Sequence, residues 1–173
     1  MTSFIMAGII PFSKVFNKKT NDYDYYFLFA RESLDNDSKH AGLYSDFGGR
    51  VEGNETKYQA ALREFYEESS GLLGSPSLVR SRMSKQKLVK FVNSTNYTSY
   101  LYEIRYDTML PKYMKNHYNF IKKYKMELIN EYNGLYEKDD FRWFELSELK
   151  DNLEIFRPFY KAIVRKVITY FSE

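Results

Sequence analysis

The sequence has no cysteine among its 173 residues and only two histidines, His40 and His117. A disulfide framework and a thiolate zinc site are thereby excluded, and a histidine-rich metal centre lacks ligands. Any metal must be held by oxygen. Net charge is scant too: 26 Lys and Arg against 23 Asp and Glu leave +3, too little by itself to point to nucleic acid. The apolar stretch Phe4-Ile5-Met6-Ala7-Gly8-Ile9-Ile10 stops at Pro11 with no basic flank ahead of it. A membrane span needs roughly 18–20 such residues, so this stretch reads as a buried strand rather than a span or a secretory leader. With neither leader nor cysteine, an intracellular and cytoplasmic protein with no membrane partner is expected. Only four prolines occur, and no repeat, low-complexity tract or Ser-rich linker divides the chain, which predicts one domain over residues 1–173.

What is present suits a globular interior: 43% of the residues are apolar and 28% charged. Aromatic and β-branched runs predict strands over 4–12, 24–31, 87–93, 97–106 and 141–146. Three helices are predicted. Over 57–69, Tyr58, Ala61, Leu62 and Phe65 share one face, and Thr56 with Gln59 has the spacing of a capping box. Over 112–132 the stripe is Met114, His117, Ile121, Tyr124 and Leu128, ending before Gly134. Over 157–172 it is Ala162, Ile163, Val167 and Tyr170, with Pro158 in the first turn. Strands interleaved with helices predict a mixed α/β or α+β sandwich.

Four of the eight glycines fall between residues 42 and 53, and Gly48-Gly49 are adjacent just ahead of the first helix. Backbone there must bend or approach something closely. On the helix, Glu64, Glu67 and Glu68 lie within an arc of about 100°, opposite the Leu62/Phe65 stripe. Two carboxylates about 6 Å apart in a partly desolvated cleft repel by roughly 3 kcal/mol at an effective dielectric near 20. A divalent cation reverses the sign. All-oxygen ligands select Mg²⁺ or Mn²⁺, which typically leave positions for water and substrate phosphate. The chemistry indicated is attack of water on a phosphorus whose charge a metal neutralises.

Residues 49–68 resemble the signature of the Nudix hydrolase superfamily, G-x5-E-x7-R-E-U-x-E-E-x-G-U, with U a bulky apolar residue. Gly49, Glu55, Arg63, Glu64, Phe65, Glu67 and Glu68 match at the required spacing. The signature's second glycine is Ser70 here, and Gly71 comes one residue late, so the left-handed helix cap is expected to move by one position. The resemblance implies a Nudix-type α/β/α sandwich around a mixed sheet and Mg²⁺-dependent (or Mn²⁺-dependent) hydrolysis of a diphosphate linkage in a nucleotide-type substrate. It implies metal ligands at Glu64, Glu67 and Glu68 with the carbonyl of Gly48. It also implies a supporting Arg63–Glu55 link that holds the Gly49 loop and orients Glu64. Arg63 thereby joins Glu64 and Glu67 among the catalytic residues.

The general base is expected at Glu137, six residues ahead of Trp143 as in decapping-type relatives, with Glu131 and Glu103 as alternatives. Two acid-free basic stretches could grip the phosphates of RNA: Arg80, Arg82, Lys85, Lys87 and Lys90, and then Lys112, Lys115, Lys122, Lys123 and Lys125, the second interleaved with Tyr113, Tyr118, Phe120 and Tyr124. Against that stands simple solvation of lysines over a packed helix. Trp143 and His117 are expected in the core. The alternative function is a catalytically silent module that keeps the fold and binds a nucleotide or RNA.

Overall fold

Aromatic and aliphatic side chains build the two longest strands, β1 (Met6–Asn17) and β2 (Asp22–Glu32), which pair antiparallel through residues 12–17 and 22–27. The computed structural model to which they belong describes residues 4–35, 39–129 and 135–173. Two short strands follow, β3 (Tyr44–Ser45) on β2 and β4 (Phe47–Arg50) on β1, separated only by Asp46. Then come α1 (Lys57–Glu68), α2 (Pro76–Met83), β5 (Lys90–Val92), β6 (Tyr97–Glu103), α3 (Leu110–Tyr124), β7 (Lys138–Glu145), α4 (Leu146–Asp151) and α5 (Lys161–Ser172).

The seven strands form one mixed sheet in the order β3-β2-β1-β6-β5, with β4 added to β1 and β7 to β2. β6 lies parallel to one edge of β1. The opposite edge is shared, its first half pairing with β4 and its second with β2. Successive residues on the central strands enter opposite cores, as expected of a sheet covered on both faces. Ile10, Phe27, Phe29 and Phe144 pack under α4 and α5 with Phe156 and Tyr160. Ile9, Leu28, Tyr100 and Phe141 pack under α1, α2 and α3 with Leu62, Phe65 and Met114. This is the expected α/β/α sandwich of α+β class. Each fully buried Leu or Phe contributes about 1.5–3 kcal/mol of burial free energy. Among the described residues no helix is long and apolar enough to cross a membrane.

Helix α1 begins as predicted. Thr56 Oγ1 accepts the Gln59 N–H at 3.2 Å, and Gln59 Oε1 accepts the Thr56 N–H at 2.8 Å. Its end departs from expectation. The cap does not move: Ser70 itself takes the left-handed conformation (φ 51°), followed by Gly71 at φ 72°. The Gly71 N–H reaches the Tyr66 carbonyl at 2.8 Å and the Ser70 N–H the Glu67 carbonyl at 2.9 Å, the paired bonds of a Schellman cap.

Other boundaries shift as well. The strands predicted over 87–93 and 97–106 are shorter, and that over 141–146 begins earlier, at Lys138. α3 stops at Tyr124, where Lys125 (φ −144°, ψ 43°) breaks the spiral, and its buried face is Met114, Tyr118 and Ile121. His117 is half-buried against Tyr136, while Tyr124 and Leu128 are exposed. α5 starts at Lys161, after Pro158, and buries Ile163, Val164, Val167 and Ile168. β3, β4, α2 and α4 were not predicted. α2 buries only Val79 and Met83, too weak a periodicity to stand out, although Ser75 followed by Pro76 is a start signal.

Candidate active site

Gly48 and Gly49 sit on β4, which passes between β1 and α1. Gly48 pairs with Gly8 across the ladder. A β-carbon on Gly48 would lie 2.5 Å from Gly8 Cα and 2.3 Å from the Tyr97 hydroxyl, so only glycine fits. Tyr97 is held there by a buried carboxyl: its hydroxyl donates to Asp46 Oδ1 at 2.5 Å while Ser99 donates to Oδ2 at 2.6 Å. Burial pushes Asp46 up to about 6, against the pull of those hydrogen bonds. At Gly49 the close neighbour is the Glu64 carboxylate.

Arg63 organises the adjoining wall. Its Nε and Nη2 donate to the two oxygens of Glu55 at 2.9 and 3.1 Å, and Nη2 also reaches the Arg50 carbonyl at 2.9 Å. Its Nη1 donates to Glu64 Oε1 at 2.8 Å and Glu67 Oε2 at 3.0 Å. The expected Arg63–Glu55 link is therefore present and ties the glycine loop to α1. A planar guanidinium with five donors can serve four acceptor groups at once; a lysine cannot. Burial raises Glu64 to about 7, with Arg63 opposing and Glu67 and Glu137 adding to the rise. Glu67 is raised for the same first reason.

Glu68 turns the other way, into the interior. Its Oε2 accepts the Gly48 N–H at 2.7 Å and its Oε1 faces Lys138 Nζ at 3.0 Å. Lys138 Nζ also donates to Glu32 Oε2 at 2.8 Å. Burial alone would lower the lysine, but Glu68 and Glu32 more than reverse that, so the ammonium is kept charged. Burial likewise favours neutral Glu32, and Lys138 overrides it. Glu68 is raised, first by burial and then by its acidic neighbours. Glu32, Glu68 and Glu137 each bring an oxygen within 4.8 Å of the others, the only such carboxylate trio among the described residues.

The expected trio of Glu64, Glu67 and Glu68 is thus not gathered at one point. Arg63 holds the first two together, and Gly48 with Lys138 holds the third. All three nevertheless line one cavity of about 1160 Å³, along with Gly48, Gly49 and Glu137. Its remaining wall includes Phe4, Met6, Lys39, His40, Arg157 and Phe159. Glu137 precedes β7 and has no hydrogen-bond or ion-pair partner for its carboxylate among the described residues, and burial raises it. Glu103 ends β6 beside Lys14 at 3.7 Å, outside the cavity. Glu131 lies outside the described residues.

None of the residues in the two basic stretches lines the cavity. Lys115 pairs with Asp140 at 2.9 Å and Lys122 with Asp35. Trp143 packs against Tyr106 and donates to the Asp107 carbonyl. Glu32 and Lys138 were missed. Their only sequence signal is a charged residue at the end of one strand and another at the start of a strand far along the chain.

The donor set is all oxygen, several carboxylates are crowded and held above their ordinary range, and room remains beside them. It fits a hard divalent cation.

No protein-family model matches the sequence, and no curated protein matches it significantly. Solved structures do resemble it. A MutT/Nudix family protein from Listeria innocua aligns over 99% of this chain and 96% of its own, at 16% identity and TM-score 0.55. A C. elegans Ap4A hydrolase binary complex aligns over 98% of each chain, at 16% identity and TM-score 0.50. A bifunctional NMN adenylyltransferase/ADP-ribose pyrophosphatase from Francisella tularensis, complexed with AMP and manganese, aligns over 98% of this chain and 42% of its own, at 16% identity and TM-score 0.52. The chain has the Nudix fold.

Proposed function

We propose that the chain is a Nudix-type pyrophosphohydrolase that cleaves a diphosphate linkage in a nucleotide-type substrate with Mg²⁺ or Mn²⁺. The observation that carries this reading is the cavity itself: carboxylates from one helix and from the entry of β7 face it above paired glycines. Neighbours of the same fold include proteins named as an Ap4A hydrolase and an ADP-ribose pyrophosphatase, which supports the reaction class. The volume of about 1160 Å³ lies just above the ordinary range of ligand pockets, about 300–1000 Å³, and so admits more than a single phosphate group.

In this reading Glu64, Glu67 and the Gly48 carbonyl would hold the metal, which would supply charge neutralisation at the phosphates, and Glu68, already engaged by the Gly48 N–H and Lys138, flanks it. Arg63 fixes Glu64 and Glu67, and Glu55 fixes Arg63. Glu137, whose carboxylate has no hydrogen-bond or ion-pair partner among the described residues, takes the proton of the attacking water as the oxygen–phosphorus bond forms and the anhydride bond breaks. The leaving phosphate departs as an anion.

The test is turnover of a panel containing nucleoside triphosphates, ADP-ribose, Ap4A and capped RNA, with Mg²⁺ and with chelator. Metal-dependent release of phosphate-containing products is expected, lowered about 10²-fold or more by Glu137→Gln or Glu67→Gln with folding intact. Full activity in Glu67→Gln would defeat the site assignment. Tight binding of one compound without turnover would favour the silent binding module.

A further inference from the structure

Among the described residues Lys138 is the only buried lysine or arginine. It is placed by a slip in the sheet. β2 and β7 pair Arg31 with Asp140 but Glu32 with Lys138, so Asp139 is the extra residue of a bulge. An uninterrupted ladder would set Glu32 opposite Asp139, two like charges on one face. The slip sets it opposite a lysine instead. Asp139 turns to Arg31 Nε at 2.9 Å and the Leu34 N–H at 3.0 Å.

The result is an ammonium against the one carboxylate trio among the described residues whose spacing suits a cation, 2.8 Å from Glu32 and 3.0 Å from Glu68, with Arg157 farther off at 3.5 Å from Glu32's other oxygen. Glu68's other oxygen is engaged by the Gly48 N–H. We propose that Lys138 is a tethered counter-ion occupying the place of one divalent cation, so that the chain binds one metal ion fewer than its carboxylates would otherwise gather. This rests on the reading above that the cavity takes divalent ions. A metal entering between Glu32 and Glu68 would have to evict an ammonium whose side chain is fully enclosed and anchored in a strand, leaving it buried without partners. Bound ions are thereby directed to the Glu64/Glu67 side. Lys138 is a positioning residue, without access to substrate.

The experiment is a Mn²⁺ titration of the full chain followed by electron paramagnetic resonance, comparing wild type with Lys138→Gln and Lys138→Met. The variants should bind one additional ion, and the double variant Lys138→Gln/Glu32→Gln should lose it again. Equal, non-zero counts in wild type and variants overturn the inference and leave the proposed function standing. No binding by any of them overturns both. Wild-type crystals soaked in Mn²⁺ give a readout independent of whether the variants fold: Lys138 should remain between Glu32 and Glu68, and an anomalous peak ligated by Glu32 would refute its role.

Discussion

Replacing Gly49 by alanine should separate activity from stability. A β-carbon at position 49 falls 2.4 Å from Glu64 Oε1, 2.5 Å from its Cδ and 2.7 Å from its Oε2, where ordinary contact begins at 3.4 Å. The carboxylate must therefore retreat by about 1 Å, a misplacement that costs on the order of 10²-fold in rate when the group serves the reaction. The backbone of Gly49 is not left-handed, so alanine adds no strain of its own. What yields is the tip of a flexible side chain and its 2.8 Å bond to Arg63, placing the cost near 1 kcal/mol, the low end for overpacking. In a chain of this length that lowers Tm by about 2–4 °C. Gly48→Ala is the control. Its β-carbon meets backbone, 2.5 Å from Gly8 Cα and 2.6 Å from the Ala7 carbonyl oxygen, which cannot move aside. A loss of about 3 kcal/mol or more is expected there, roughly 10 °C in Tm. Thermal melts and turnover on the diphosphate panel at saturating Mg²⁺ read both quantities. Folded Gly49→Ala with turnover close to wild type would refute the tie between Glu64's position and catalysis. Equal destabilisation by the two variants would refute the steric reasoning.

Ser70→Gly should stabilise the protein by about 1 kcal/mol, because a side chain in the left-handed region costs roughly 1–2 kcal/mol that glycine does not incur; a lower midpoint in urea would contradict the cap assignment. Arg63→Lys should reduce turnover about 10²-fold despite keeping the charge, since one ammonium cannot replace the fork that serves Glu55, Glu64 and Glu67; an active lysine variant would show that charge alone suffices. Glu64's ordinary value near 4.5 is raised by burial to about 7 in the native chain. The native state then holds a proton that the unfolded state has released, so metal-free stability should fall as pH rises from about 4.5 to 7, by about 3 kcal/mol from this group. Asp46, Glu67, Glu68 and Glu137 shift in the same direction. Divalent metal favours the ionised forms, so Mg²⁺ should reverse the trend and its binding should release protons. Urea melts in chelator at pH 5 and pH 7.5 check the sign, and greater stability at the higher pH would contradict it.

The parts of the site that were legible in the sequence are those made by neighbours along the chain. The Thr56/Gln59 cap and the shared face of the α1 glutamates follow from helical spacing, and the Glu55–Arg63 link, implied by the resemblance, joins residues only eight apart. Helix α2, which carries Arg80 and Arg82, was not predicted because it buries too little to show a period. What could not be read is set by strand pairing. Glu32 meets Lys138 only because β2 and β7 are neighbours and slip by one residue, and Tyr97 meets Asp46 only because β4 and β6 flank β1. The single turn of α1 was expected to aim three glutamates at one point. Arcs on a helix give directions, but where each side chain ends depends on the cation it finds, and one of the two cations came from across the sheet.

The two cations also explain why Glu137 stands apart. Arg63 is a partly exposed fork that takes Glu55, Glu64 and Glu67, and Lys138 is an enclosed point charge that takes Glu32 and Glu68. Between them they engage five carboxylates by direct contact. Glu137 borders both sets, feeling Glu32 and Glu67 as repulsion and Lys138 and Arg157 as attraction, yet it contacts neither cation as an ion pair. Glu64, Glu67 and Glu68 are raised as well, but each is held by a cation at 3.0 Å or less, and Glu64 and Glu67 are the carboxylates assigned above to the metal. Glu137 is half-buried, raised and without a hydrogen-bond or ion-pair partner among the described residues, which leaves it free to take a proton. Glu103 fails on both counts: it lies outside the cavity and beside Lys14. The proposal of Glu137 as the base is supported by how Arg63 and Lys138 divide the other described acids, and a variant that frees Glu64 should supply a competing acceptor and blur the pH profile of turnover.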